Sequence, residues 1–89
     1  MLEQRIVITN RDGLDAKTAA MLVKIACRYH SQVLIEQGNK IINAKSMMGV
    51  LSLGVGANDE VVLSVNGGDE KAAMTAVSEF LKTGFMANK

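Results

Sequence analysis

The segment GLDAKTAA, residues 13–20, marks the change from the period of a strand to the period of a helix, and the fold can be laid out on either side of it. Before it, residues 2–9 alternate as in a strand with one buried face, which would carry Leu2, Gln4, Ile6 and Ile8. A break follows from Asn10. Beyond the segment, apolar residues recur at spacings of three and four over residues 16–29, which predicts a helix with a buried stripe of Ala19, Leu22, Val23 and Ala26.

Five more elements follow along the chain. The sequence predicts strands at 32–36, 40–44 and 61–65, a short helix at 46–53, and a last helix from Asp69 to Gly84, with a tight turn at Gly38. The order βαββαβα is typical of an α+β fold in which three helices cover one face of a four-stranded, mostly antiparallel sheet. A ferredoxin-like sheet shares most of this order, so the arrangement of the strands stays open at this point.

Composition limits the classes of function. The 89 residues, 48% hydrophobic and 21% charged, predict one domain over residues 1–89 with a modest core. A net charge of +1 and only three aromatic residues argue against nucleic-acid binding. No window approaches the length of a membrane span, and the single cysteine, Cys27, allows no internal disulfide. We expect a cytoplasmic protein in which Cys27 is a small buried hydrophobe.

Asp15 stands immediately before the first helix. Its carboxylate can accept hydrogen bonds from the free N–H groups of the first turn, which is the role of a helix cap. A loop that leads into a helix N-terminus, with Lys17 on the first turn, is also a possible anion or phosphoryl site. The residues alone leave both readings open.

A second segment of interest is AKSMMGVLSL, residues 44–53. On a helical wheel, Met47, Met48 and Leu51 gather opposite the pair Val50 and Leu53, so they form either an adaptable apolar patch for a partner or a covered second face. Ser46 opens this helix as a cap. A phosphoryl group on it would sit where the helix N-terminus favours an anion, with Lys40 and Lys45 as cations that could balance it.

A basic stripe runs along the predicted first helix. Spacings of four, three and four align its members on one exposed side, either as solvated surface or as a docking surface for an acidic partner: Lys17, Met21, Lys24 and Arg28. No Ser/His/Asp or Cys/His set, no acid pair and no metal-ligand cluster is present in the sequence, so we expect no enzyme, no metal and no cofactor.

Together, the segments 13–20 and 44–53 resemble the two signatures of the HPr family, the phosphocarriers of the bacterial sugar phosphotransferase system. The resemblance extends from Leu2 to about Phe85. It implies the open-faced β-sandwich of that family, with four antiparallel strands covered on one face by three helices. It also implies that Asp15 occupies the position of the histidine that accepts a phosphoryl group from enzyme I, with Lys17 in place of the usual arginine.

The resemblance further implies a function. A carboxylate is a poor substitute for the histidine, because an acyl phosphate site needs a metal. Ser46, in contrast, matches the serine that HPr kinase/phosphorylase modifies, after which the protein binds a LacI-type catabolite control repressor. The pattern is similar to the Crh-like branch of the family, which lacks the histidine and keeps the serine.

We therefore expect a regulatory phosphoprotein of catabolite repression, modified at Ser46, that meets its partner through the basic stripe and the methionine patch. One alternative is a phosphocarrier that uses Asp15, or mimics its phosphorylation. Another is a degenerate copy that docks on enzyme I or on sugar-transporter components without phosphoryl transfer. An exposed sheet edge allows a monomer or a weak dimer.

Overall fold

The computed structural model describes residues 1–9 and 11–83 and confirms the α+β order βαββαβα. The elements are β1 Leu2–Val7, α1 Ala16–Ala26, β2 Gln32–Gln37, β3 Lys40–Asn43, α2 Met47–Leu53, β4 Glu60–Asn66 and α3 Glu70–Thr83. The four strands form one antiparallel sheet in the order β1-β4-β2-β3, and three helices cover one face of it. This open-faced arrangement is the one that the family resemblance implied. Asn10, at the predicted break, and Gly84 and Phe85, at the predicted helix end and beyond, lie outside the described residues.

The strand register separates the sheet into a buried face and an open face. Ile6 pairs with Val61, while Leu63 pairs with Ile35, and these residues are almost fully buried. Because neighbouring residues of a strand point to opposite faces, the alternate positions carry the open face. There Leu34 and Val62 are only partly buried. One face of the sheet thus lies in the core and the other faces solvent.

The helices supply the other half of the core. Leu22 of α1, Val50 of α2, and Val77 and Phe80 of α3 are each no more than 1% exposed and pack over the buried sheet face. Of the stripe predicted for α1, Ala19, Leu22 and Ala26 are buried and Val23 is partly buried. Among residues 1–9 and 11–83, no helix is long and apolar enough to cross a membrane.

Two predictions about the end of α1 were wrong. The helix ends at Ala26 rather than Tyr29, and Cys27 is exposed rather than buried. After Ala26 the backbone tightens into shorter turns, in which the N–H of Arg28 donates to the carbonyl of Ile25. As the C-cap, Cys27 still donates its N–H to the carbonyl of Val23, so its side chain lies on the same solvent side as exposed Ala20, two turns earlier.

Candidate functional site

Asp15 is the N-cap of α1, as one of the two sequence readings predicted. Its backbone is extended (φ −75°, ψ −178°), and its Oδ1 accepts a hydrogen bond of 2.9 Å from the backbone N–H of Thr18. Hydrogen bonds from the Thr18 backbone and hydroxyl, with a smaller contribution from the charge of Lys17, hold the pKa of Asp15 below its usual value. Asp15 is therefore a carboxylate at neutral pH, with one oxygen already engaged by the helix.

The loop before Asp15 is held by a close backbone approach. Gly13 adopts a φ of +65°, and a Cβ atom there would collide with the carbonyl oxygen of Val55. The next residue, Leu14, donates its N–H to that same carbonyl at 3.0 Å. Asp59 fixes the opposite side of the contact, since its Oδ2 accepts the N–H of Gly56 at 2.8 Å. The cap is thus positioned by the loop between α2 and β4, far away in sequence.

Ser46 is the N-cap of α2. Its Oγ accepts the N–H of Gly49 at 3.1 Å, and its own N–H donates to the carbonyl of Asn43 at 3.0 Å. Asn43 also accepts the N–H of Lys45 through its side chain at 2.8 Å. The turn that presents Ser46 is therefore fixed on both sides of the serine, and Ser46 itself is half-buried.

The two lysines expected near Ser46 lie elsewhere. The Nζ of Lys45 donates to the carbonyl of Tyr29 at 2.7 Å, beyond the end of α1. The Nζ of Lys40 donates to the carbonyl of Ser52 at 3.0 Å, near the end of α2 opposite to Ser46. Both ammonium groups thus satisfy carbonyl groups near helix ends, the arrangement that a helix dipole favours.

The predicted methionine patch is only partly exposed. Met48 is 80% exposed and Leu51 is 41% exposed, whereas Met47 is half-buried and packs on the core. Val50 and Leu53 face the core, as the wheel predicted. The outward apolar surface of α2 therefore consists mainly of Met48 and Leu51.

The predicted basic stripe divides in a similar way. Lys17, Lys24 and Arg28 are exposed, whereas Met21 is half-buried against the core. Arg28 lies beyond the last residue of α1, so only the first three members share the helix. A shallow hollow on this helix is lined by Ala20, Met21, Val23 and Lys24. Because α1 packs against α2, the basic stripe and the methionine patch belong to the same helical layer.

Two features were missed from the sequence. The first is Ile41 on β3, which is 60% exposed. Its alternation with half-buried Ile42 was a signal that could have placed it on the open face. Asp69 has a role that no local pattern indicates: its carboxylate accepts the N–H groups of His30 and Ser31, both at 2.9 Å. Bonds from the Ser31 hydroxyl first, and then from these N–H groups, lower the pKa of Asp69 to about 2. Within the described part of the chain, no three His, Cys, Asp or Glu residues are grouped to hold a metal ion.

The chain is similar to known proteins over most of its length. The family model described as "PTS HPr component phosphorylation site" matches residues 2–83. HPr-like protein Crh of Halalkalibacterium halodurans is 38% identical over 82 residues, which cover 92% of this chain and 98% of that protein.

Solved structures with a similar fold include proteins of both kinds, HPr and Crh. HPr-C-His of Thermoanaerobacter tengcongensis superposes with a TM-score of 0.88 at 43% identity, covering 91% of each chain. Crh of Bacillus subtilis, described as a dimer with a swapped domain, gives a TM-score of 0.74 at 37% identity, covering 91% of this chain and 93% of that one.

Proposed function

This chain belongs to the HPr family of the phosphotransferase system, and from that membership we propose that it is a cytoplasmic regulatory phosphoprotein of the Crh type, switched by phosphorylation of Ser46. HPr and Crh proteins are phosphocarrier or regulatory proteins rather than enzymes. In this proposal, HPr kinase/phosphorylase modifies Ser46, and a LacI-type catabolite control repressor binds the product. The observation that carries the proposal is the position of the Ser46 hydroxyl at the N-terminus of α2.

The hydroxyl geometry supports Ser46 as the acceptor. A serine oxygen has two lone pairs, and the one that accepts the Gly49 N–H leaves the other for attack. In the reaction, Ser46 Oγ would form a bond to the terminal phosphorus of ATP as the bond to ADP breaks, and the hydroxyl proton would pass to a base on the kinase. Because the cap already holds Oγ in place, the kinase receives an ordered acceptor.

The charge pattern around Ser46 supports a change that the fold tolerates. A phosphoseryl group adds about −1.5 to −2 charge at pH 7, and a helix N-terminus stabilises an anion. Lys40 and Lys45 are engaged with the carbonyl groups of Ser52 and Tyr29, so the new charge is left to the helix and to a partner. Charge-assisted hydrogen bonds from a partner's arginine or lysine residues would then read it.

The state of Asp15 favours regulation over phosphoryl transfer. In the family, the corresponding position is the histidine of the carrier, and here it holds a carboxylate that caps α1 through Thr18. Transfer through a carboxylate requires a metal to neutralise the acyl phosphate. No cluster of metal-ligating residues accompanies Asp15 in the described part of the chain. Asp15 thus has the features of a helix cap, and the described residues around it do not offer the metal ligands that an acyl phosphate would call for.

The helical layer provides the partner surface in this proposal. Met48 and Leu51 would supply exposed apolar contacts, with half-buried Met47 and Met21 at their margin. Lys17, Lys24 and Arg28 would supply a basic flank. An adaptable methionine surface beside charged groups is a common protein-docking arrangement.

The experiment is treatment of the purified protein with HPr kinase/phosphorylase and ATP, followed by intact mass measurement. We expect the mass of one phosphoryl group on the wild-type chain and none on Ser46→Asn, which keeps a helix-capping side chain but has no hydroxyl. The matched control is Ser52→Ala, because Ser52 is an exposed hydroxyl at the other end of the same helix and its loss should leave the modification intact. An unmodified wild-type chain would refute the proposal.

The second candidate function, a phosphocarrier that uses Asp15, is favoured by the anion-binding position of Asp15 at the α1 N-terminus. Incubation with enzyme I and phosphoenolpyruvate separates the two. A labile acyl phosphate that Asp15→Asn abolishes would support the carrier, whereas no transfer is expected from the regulatory protein. A copy that docks without phosphorylation would bind its partners equally before and after kinase treatment.

A further inference from the structure

The open face of the sheet carries most of its charge as carboxylates. The register places Glu3, Arg5, Glu36 and Glu60 on that face, so the described strands give it three acidic residues and one basic residue. Arg5 is already paired with Glu60, with 3.8 Å between Nη1 and Oε2. Glu36 makes no ion pair with any described residue. The face is therefore acidic in a protein whose overall charge is only +1.

The same face is also partly apolar. Leu34 and Val62 form a half-buried centre, and Ile41 (60% exposed) and Val7 (48% exposed) lie at its margins. In the register, Arg5, Val62, Glu36 and Ile41 stand side by side across all four strands. A groove crosses this row and is lined by Glu3, Gln4, Arg5, Glu36 and Val62. Val62 is the apolar residue of this lining and stands beside the carboxylates, an arrangement that suits an aliphatic side chain ending in a positive charge.

The opposite layer of the protein presents a complementary surface. On α1, Lys17 and Lys24 are exposed, and Lys24 lines a shallow hollow together with Ala20, Met21 and Val23. Seven residues of helix separate the Cα atoms of the two lysines by about 10.5 Å. On the sheet, Glu3 and Glu36 are two strands and two residues apart, which puts their Cα atoms about 12 Å apart. The Cα–Cα spacing of Lys17 and Lys24 thus approaches that of Glu3 and Glu36.

We propose that the open sheet face is a docking surface for the α1 face of a second copy of this chain. The two surfaces lie on opposite layers of one molecule, so they can meet only between molecules. In the contact, Lys17 and Lys24 of one copy lie over Glu3 and Glu36 of the other, and the side chains around Met21 cover Val62. The contact is head to tail, so each added copy leaves a free face at both ends.

This association has a consequence for partner binding. The second copy covers Lys24, which belongs to the basic stripe assigned to the partner surface, so association and partner binding compete for α1. The contact does not depend on phosphorylation, so its test is independent of the proposed role of Ser46. It also differs from a symmetric exchange of segments, which closes at two copies.

Sedimentation equilibrium of the unphosphorylated protein tests this assignment. At about 10 mM salt, where charges act over about 30 Å, we expect the average mass to rise with concentration past that of a dimer, and to return to that of a monomer at about 500 mM salt. Glu36→Lys and Lys24→Glu should each weaken association about tenfold. The matched control is Glu79→Lys, because Glu79 is an exposed acid on α3, away from both surfaces.

Mixing the variants decides whether the contact is head to tail. The Glu36→Lys variant keeps an intact α1 surface, and the Lys24→Glu variant keeps an intact sheet surface. In an equimolar mixture these two surfaces can bind each other, so the mixture should show association that neither variant shows alone. A constant monomer mass at low salt would overturn the assignment, as would a mass that stops at a dimer and ignores Glu36→Lys. Binding of an oligolysine peptide at Glu36 without any self-association would also overturn it, in favour of a foreign cationic partner.

Discussion

At the scale of single residues, the two sites found in the sequence have the same structural role and different chemistry. Asp15 and Ser46 each accept one N–H three residues further on, from Thr18 and Gly49. Local sequence was enough to predict both caps, because each capping hydrogen bond joins residues only three apart in the chain. Their chemistry differs because Ser46 ends in a neutral hydroxyl and Asp15 in a carboxylate.

The role of Asp69 was beyond local sequence, because its partners His30 and Ser31 are nearly forty residues away in the chain. The hydrogen bonds of Asp69 make the folding stability depend on pH. The pKa of Asp69 is lowered to about 2 in the fold, from an ordinary value of 3.8, chiefly by the Ser31 hydroxyl. A lowered pKa in the folded state adds stability that is complete above pH 3.8 and disappears as the pH falls through 2.

We therefore expect Asp69→Asn to be less stable than the wild-type protein at pH 7, and this difference to shrink as the pH is lowered from 4 to 2. Urea unfolding at a series of pH values measures both proteins. Asp12→Asn is the control, because Asp12 is an exposed acid in the loop before α1 and makes no hydrogen bond with another described residue. A difference between wild type and Asp69→Asn that stayed constant down to pH 2 would contradict the assigned contacts.

At the scale of elements, patterns predicted which helices and strands exist better than where they end. Periodicity, β-rich composition and turn residues together identified all seven elements. The end of α1 was missed because it depends on remote groups: Lys45 takes the carbonyl of Tyr29, and Asp69 takes the N–H groups of His30 and Ser31. No glycine or proline marks that point in the sequence.

The loop between β1 and α1 shows how one backbone approach holds an element in place. Gly13 and Gly38 have nearly the same φ, +65° and +61°, yet a Cβ at Gly13 would collide with Val55 and Gly56, whereas a Cβ at Gly38 would meet nothing within 4 Å. Gly38→Ala should therefore cost only the left-handed strain of about 1–2 kcal/mol. Gly13→Ala adds a clash with backbone atoms and should cost about 1–3 kcal/mol more.

Denaturant unfolding of the two glycine variants measures this difference, and amide exchange at Thr18 reports whether the Asp15 cap loosens. We expect faster exchange at Thr18 in Gly13→Ala alone. Equal destabilisation by the two substitutions would mean that the loop moves aside without cost, contrary to the close contact between Gly13 and Val55.

At the scale of the whole molecule, the open face of the sheet and the exposed side of α1 differ in charge. The helical layer carries the exposed basic residues of α1, and the open face carries Glu3, Glu36 and Glu60. The near-neutral total of +1 conceals this separation, so composition alone could not reveal two different protein surfaces. The strand register was needed to find the acidic one.

Substitutions in the proposed partner surface should affect binding without affecting stability, because the apolar residues of this surface point outward. Met48 is 80% exposed, so Met48→Ala should change the free energy of unfolding by less than about 0.5 kcal/mol. If the kinase-treated protein binds a catabolite control repressor through this helix, the same substitution should weaken binding by about 1–2 kcal/mol, which corresponds to about five- to thirtyfold in the dissociation constant.

Ile41→Ala is the matched control for Met48→Ala, since Ile41 is a large apolar residue, 60% exposed, on the opposite face of the protein. Calorimetric titration of the repressor with each phosphorylated variant, beside denaturant unfolding of the same samples, makes the comparison. The helical layer is the partner surface if Met48→Ala alone reduces affinity while both variants stay as stable as the wild type. Equal losses of affinity would place the repressor elsewhere, because two residues on opposite layers cannot both lie at the centre of one contact of ordinary size.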